Sequence, residues 1–165
     1  MKLLEPKAKF DRVTDISIEF LKENDIRGVI LDVDNTLIDL NKEKIEGVDD
    51  WIQSLKDNNI KIFLASNSAK LKKIKRIADS FGVEFTYSSF KPLKKGLKKG
   101  LKYLDLPNSN VAEIGDQLFT DVVGANRLKL FSILTKPIEE EKSFPFRIRR
   151  KLEKLVLNKG KLNCI

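Results

Sequence analysis

The sequence predicts one α/β domain, a parallel β-sheet with helices on both faces. Three observations carry this reading. Five short apolar runs recur along the chain, at 28–33, 60–65, 83–87, 111–114 and 130–134. Each is the length of a strand buried on both faces. The segments between them carry apolar residues at helical spacing, so strands and helices alternate, as a parallel sheet with right-handed crossovers requires. Finally, 165 residues with 41% hydrophobic content suffice for one core and fit one domain rather than two.

The elements follow in order. A helix over 14–23 is predicted before the first strand. Val48, Ile52 and Leu55 form an i, i+4, i+7 stripe after it, and Leu71, Ile74 and Ala78 form another after the second strand. Leu93, Leu97, Leu101 and Leu104 make a third, and 116–127 reads as a short helix opened by acidic residues. No internal repeat or linker interrupts the pattern. The expected division is a core over 1–142 and a basic amphipathic tail over 143–165.

Composition excludes several chemistries. The chain has no histidine, which removes Ser-His triads, HExxH zinc sites and phosphohistidine intermediates. Its one cysteine, Cys164, has a single residue after it and cannot open a phosphate-cradling loop; it also fits a reducing cytosol. A carboxylate is left as the leading candidate for a covalent nucleophile. No apolar run approaches the ~20 residues of a membrane span. MKLLEPKAKF lacks the apolar stretch of a signal peptide, so a cytoplasmic protein is expected. The formal charge of +8 is concentrated: residues 142–165 carry eight Lys or Arg against Glu153 alone. Questions about charged partners therefore belong to the tail.

Ligands of such sheets bind beyond the carboxyl ends of the strands. Asp32-Val33-Asp34-Asn35-Thr36 follows the first predicted strand and Ser66-Asn67-Ser68 the second. Lys91 comes just past the third, and Gly115-Asp116, with Asp121 five residues on, follows the fourth. Acids, a hydroxyl and an amine thus collect at one edge. A single Asp there is more often a turn former or a helix cap; the joint arrangement is what indicates a site.

LDVDNTL (31–37) resembles the first motif of the haloacid dehalogenase (HAD) superfamily, an apolar strand running into DxDxT. Ser66 in FLASN matches the second motif, Lys91 in FKP the third and GDQLFTD (115–121) the fourth. The resemblance implies a HAD-like Rossmannoid three-layer fold with a five-stranded parallel sheet. It also implies a phosphatase in which Asp32 attacks phosphorus and Asp34 serves as acid and then base. The Asp32 carboxylate, the Asp34 main-chain carbonyl and the Asp116 carboxylate would hold Mg²⁺, with Asp121 on a metal-bound water. Ser66, Lys91 and the amides near Asp34 and Asn67 would bind the phosphoryl group. Asn35, Thr36 and the Asn67 side chain divide between phosphate contacts and turn structure. Gly115 permits a close backbone approach, while Asp39, Asp49 and Asp50 read as surface or helix-start acids.

Many members of the superfamily insert a cap domain after the first motif or between the second and third. Only residues 37–48 and 69–90 are available here, so no cap is expected and the site is open. Gly96-Leu97-Lys98-Lys99-Gly100 lacks the order of a phosphate loop and reads as a helix face, its glycines allowing approach to the sheet. In the tail, Ile148, Leu152 and Leu155 follow Phe144 and Phe146, among Arg147, Arg149, Arg150, Lys151 and Lys154. Residues 143–157 fit either a helix packed on the sheet or an interfacial helix on anionic lipid at the inner face of the membrane. Nucleic acid is the weaker expectation, because no aromatic platform interleaves the charges.

The small size, the missing cap and the tail's Phe144, Arg147, Arg150 and Glu153 are similar to HAD subfamily IIIA, the phosphatidylglycerophosphate phosphatases. That resemblance implies an anionic phospholipid substrate. The alternatives are a HAD phosphatase acting on a phosphoprotein, polynucleotide or soluble phosphometabolite, and a HAD-fold module that only binds RNA or protein. A receiver-type phosphoacceptor ranks low, since its phosphorylated Asp usually follows the third strand.

Overall fold

The structure is a computed structural model and describes residues 3–162; Cys164 lies outside the described residues. Its sheet contains β1 (Ala8–Phe10), β2 (Gly28–Leu31), β3 (Lys61–Ala65), β4 (Glu84–Thr86), β5 (Val111–Gly115) and β6 (Phe131–Thr135). All neighbouring pairs are parallel, in the order β1-β6-β5-β2-β3-β4. The sheet therefore has six strands rather than the expected five. The extra strand is a three-residue edge strand whose AKF sequence alternates only between half-buried and exposed, too brief a signal to show as an apolar run. Phe10 anchors it by packing edge-on against Phe20, with ring centres 5.0 Å apart.

The central strand β2 is buried on both faces along its whole length. Alternate residues divide the core into two layers. Val29, Leu31, Ile62, Leu64 and Ile114 face α1 (Ile18–Glu23), α2 (Val48–Asp57) and α3 (Leu71–Phe81). Ile30, Phe63 and Val111 face α4 (Lys94–Leu104) and α5 (Val123–Arg127). The glycines of α4 do set its distance from the sheet. A β-carbon at Gly96 would lie 2.4 Å from that of Ser89, and one at Gly100 would lie 2.9 Å from Ile30 and Phe63.

Two predicted helices begin differently. The one expected over 14–23 is split, because Ser17 is an extended N-cap whose Oγ accepts from the Phe20 amide. The one expected over 116–127 opens as a π-helical turn, Leu118–Val122, before α5. No cap domain interrupts the layers: 33–47 is a compact turn-rich flap and 66–90 holds α3 and β4. The final helix, α6 (Phe144–Leu162), follows β6 and packs Val156 and Leu157 against Leu118, Val122 and Leu134.

Strand order reverses at β2, since β3 and β4 lie on one side of it and β5 and β6 on the other. The carboxyl ends of β2, β3 and β5 therefore converge on one crevice, where a ligand site of this architecture lies.

Candidate active site

Asp32 leaves β2 while its amide still donates to the Ile114 carbonyl at 2.9 Å. Across the switch point, β5 ends in Gly115-Asp116, and the π-helical turn carries Asp121 back towards it. A β-carbon on Gly115 would lie 2.2 Å from the Asp121 carboxylate, so only glycine admits that approach. Carboxylate oxygens of Asp32, Asp116 and Asp121 all lie within 4.8 Å of one another, and all three residues are buried. The Thr36 hydroxyl stands between the first two, 3.3 Å from Asp32 Oδ2 and 3.2 Å from Asp116 Oδ1.

Lys91 enters from the loop after β4 with a side chain fully out of solvent. Its Nζ lies 2.6 Å from Asp121, 3.0 Å from Asp32 and 3.2 Å from Glu113. Asn67 fixes its backbone: the Lys91 amide donates to Asn67 Oδ1 at 2.8 Å and Asn67 Nδ2 donates to the Lys91 carbonyl at 3.1 Å. The Asn67 side chain is thus committed to placing the lysine. Asn35 is committed likewise, exchanging bonds of 2.8 and 2.9 Å with the Glu139 backbone. Ser66 is buried at the end of β3, where its Oγ accepts from the Ser68 amide at 3.1 Å. Asp34 stands apart from the cluster. The chain bends after β2, and the half-exposed Asp34 carboxylate meets Lys73 Nζ on α3 at 2.5 Å.

The electrostatics ask for a cation. Burial, then the nearby Asp121 and Asp34, push the Asp32 carboxyl up to about 6 against the opposing pull of Lys91. Burial and the charges of Asp32 and Asp121 raise Asp116 well above the carboxylate range, and burial raises Glu113 as well. Burial alone would lower Lys91, but Asp121, Asp32 and Glu113 outweigh it and hold the ammonium well above its ordinary value. Three converging hard oxygen donors fit a divalent cation, whose charge would offset the cost of ionising these buried acids.

A pH dependence follows. Raised acid values mean the folded state binds more protons than the unfolded chain above pH ~4. Without metal, stability should then fall as pH rises from ~4 through 6 and beyond, and a divalent cation should raise the melting temperature more at pH 8 than at pH 5. Melting curves at both values test this; an equal response would place the cation away from these carboxylates.

A model of the family described as mitochondrial PGP phosphatase matches residues 1–139. The chain belongs to this family. It is also 30% identical over 158 residues to the probable phosphatase YqeG of Bacillus subtilis, an alignment covering 95% of this chain and 91% of the relative. Among solved structures, the cobalt-bound deoxy-D-mannose-octulosonate 8-phosphate phosphatase of Haemophilus influenzae aligns with a TM-score of 0.54 at 18% identity. That alignment covers 83% of this chain and 90% of the other. A HAD subfamily III A hydrolase of Legionella pneumophila aligns at 0.50 with 18% identity, covering 85% and 87%. The protein is a phosphatase of that family, and its layered parallel sheet is the fold that the octulosonate phosphatase and the HAD hydrolase share.

Three features of this phosphatase's site escaped the sequence reading. Glu113 sits mid-strand on β5, fully buried behind Lys91 with Oε2 unpartnered. An acid two residues before GD was the available signal. Lys73 was hidden among the other basic residues of α3. The third feature is the pairing of the tail with Asp116 and Leu118, through which its helix α6 closes one side of the site. Arg150 donates to the Asp116 carbonyl at 2.7 Å, to its carboxylate, and to Glu141 and Glu153 at 3.0 Å each. Glu153 in turn accepts from the Leu118 amide at 2.9 Å, satisfying the start of the π-helical turn that carries Asp121. A cleft of about 330 Å³ remains between α6 and the 134–141 segment, with Asp116 at its inner end.

Proposed function

We propose that this phosphatase hydrolyses the terminal phosphomonoester of phosphatidylglycerophosphate, releasing phosphatidylglycerol, through a phosphoaspartate on Asp32. The observation that supports the chemistry is the buried lysine shared by Asp32 and Asp121, with Asp116 alongside, at the strand-order switch point. An Asp32 oxygen attacks phosphorus as the bond to the leaving oxygen breaks, and Asp34 gives that oxygen its proton. Asp34 then takes a proton from the water that attacks the acyl phosphate, releasing inorganic phosphate and restoring Asp32. Lys73 holds Asp34 at the mouth, where both leaving group and water arrive. Lys91 neutralises charge on nucleophile and phosphoryl group, and Ser66 with the amides near Asp34 and Asn67 takes the phosphoryl oxygens.

Mg²⁺ is the proposed ion. Asp32, Asp116 and the Asp34 main chain would hold it, with Asp121 behind, and bound there it neutralises the repulsion between carboxylate and phosphate.

The lipid substrate is supported by the matched family, the uncapped crevice and α6. Phe144, Ile148, Leu152 and Leu155 lie exposed on that helix, although Ile148, Leu152 and Leu155 were candidates for packing on the sheet. Arg147, Arg149, Lys151 and Lys154 accompany them, the character of an interfacial helix on an anionic leaflet. Among the described residues, no helix is long and apolar enough to cross a membrane, so contact would be peripheral through 143–157.

Phosphate release from lipid, sugar-phosphate and phosphopeptide substrates, with and without Mg²⁺, tests the proposal. Fastest turnover of the lipid, dependent on Mg²⁺, is expected; preference for a soluble phosphometabolite would remove the lipid assignment. Asp34→Asn tests the acid–base role. With an activated aryl phosphate the first half-reaction should recover more than the second, giving a burst of aryl alcohol in rapid quench. No burst, with equal loss for good and poor leaving groups, would count against it.

A further inference from the structure

The exposed large apolar side chains gather at the end of the sheet that carries the site. Leu40 projects from the flap after β2, Leu71 opens α3 after β3, and Phe90 and Leu93 flank the Lys91 loop after β4. Phe90 and Leu93 are the most exposed of these, at 57% and 58%. Away from this edge and α6, only Leu3 and Tyr103 are comparable among the described residues. Because β3 and β4 lie on the opposite side of β2 from β6, the loops of Leu71, Phe90 and Leu93 face the site from the flank that α6 does not occupy. The Leu40 flap instead reaches the 134–141 segment, its amide donating to Glu139 at 3.0 Å.

Lysines border the exposed apolar side chains of the β3 and β4 loops. Lys70 and Lys72 adjoin Leu71, Lys94 and Lys95 follow Leu93, and all four are exposed. Beside Phe90 a shallow hollow of about 260 Å³ is lined by Tyr87, Ser88, Lys95 and Lys99, hydroxyl and amine groups suited to a phosphodiester. Isolated apolar residues on a surface need no explanation; a set ringing an active-site mouth, interleaved with lysines, does.

We infer that the loops around Leu71, Phe90 and Leu93 form a second lipid-docking surface, so that the phosphatase sits on an anionic membrane with its site mouth against the bilayer. The inference rests on the proposed lipid substrate and deepens it. Two contacts, one on each side of Asp32, fix an orientation that α6 alone would leave free. A phosphate projecting from the bilayer then meets Lys91 and Asp32 without the lipid leaving the membrane. The apolar side chains enter the headgroup region while the lysines take up anionic headgroups.

The test is the double variant F90N/L93S, chosen to favour the fold. Phe90 has φ of 54°, where asparagine is better tolerated than phenylalanine. Leu93 is the N-cap of α4 and makes no side-chain cap bond, which serine would supply. Neither change alters net charge. Full-length protein is floated with phosphatidylcholine vesicles with and without phosphatidylglycerol, beside aryl phosphate turnover and light scattering. Wild type should partition onto the anionic vesicles, and the variant should do so about tenfold more weakly, because two large apolar groups no longer leave water.

Equal binding by the variant overturns the second surface and leaves the substrate assignment standing. So does a wild type that hydrolyses the lipid phosphate in detergent yet ignores vesicles. A concentration-dependent dimer that the variant disperses would show the surface to be covered by a second copy of the chain, and would overturn the lipid reading.

Discussion

Asp32→Asn should lower turnover of any phosphomonoester by at least ~10³-fold, since an amide is a poor nucleophile and its removal breaks the first covalent step. Stability should move the other way. In the metal-free protein Asp32 is a buried carboxylate with Asp121 and Asp116 beside it, and burial already pushes its carboxyl up to about 6. A neutral isostere removes one of the mutually repelling charges, while Lys91 keeps Asp121 and Glu113. At pH 8 without metal the variant should therefore melt at or above wild type. Beryllofluoride, which mimics an aspartyl phosphate, should inhibit wild type and not the variant. Retention of more than a few per cent of activity on an aryl phosphate would end the phosphoaspartate account.

Arg150→Met should have the largest effect of any substitution outside the crevice. One guanidinium serves Asp116, Glu141 and Glu153, and its side chain is only 15% exposed. Removing one partner of such a buried network costs about 3 kcal/mol. For a chain of this size that lowers the melting temperature by roughly 6–12 °C. Divalent-cation affinity should fall about 10- to 100-fold, the range for partners that orient a metal ligand. Arg150→Lys should recover little, because an ammonium cannot fork between the Asp116 carbonyl and the surrounding carboxylates. Isothermal titration with the cation measures this. An affinity that rises in Arg150→Met would mean that the arginine competes with the ion instead of orienting its ligand.

That arginine marks where sequence reading stops. Asp32, Ser66, Lys91 and Asp116 each follow a short apolar run, and local pattern combined with the switch-point rule is enough to bring them to one edge. Asp121 is reachable as well, because a turn of five residues returns it towards Gly115. Arg150 lies 34 positions from Asp116, on a helix whose apolar stripe proves to face outward. Nothing in helical periodicity shows which face of a basic helix packs, so the ion pair with the site was out of reach. Glu113 was hidden for the opposite reason. A lone acid in a buried strand conflicts with the apolar pattern, and only the lysine arriving from another loop resolves the conflict. The bend after β2 that turns Asp34 towards Lys73, and the two asparagines committed to backbone, depend on tertiary contacts that spacing does not encode.

The central claim is that Asp32 carries the phosphoryl group between the two half-reactions. The direct measurement is to quench turnover in acid, reduce with borohydride and locate the modified residue by peptide mass spectrometry. An aspartyl phosphate is reduced to homoserine, and the account predicts homoserine at position 32, dependent on substrate and absent from Asp32→Asn. Turnover that proceeds with Asp32 unmodified, or homoserine at another aspartate, would contradict it.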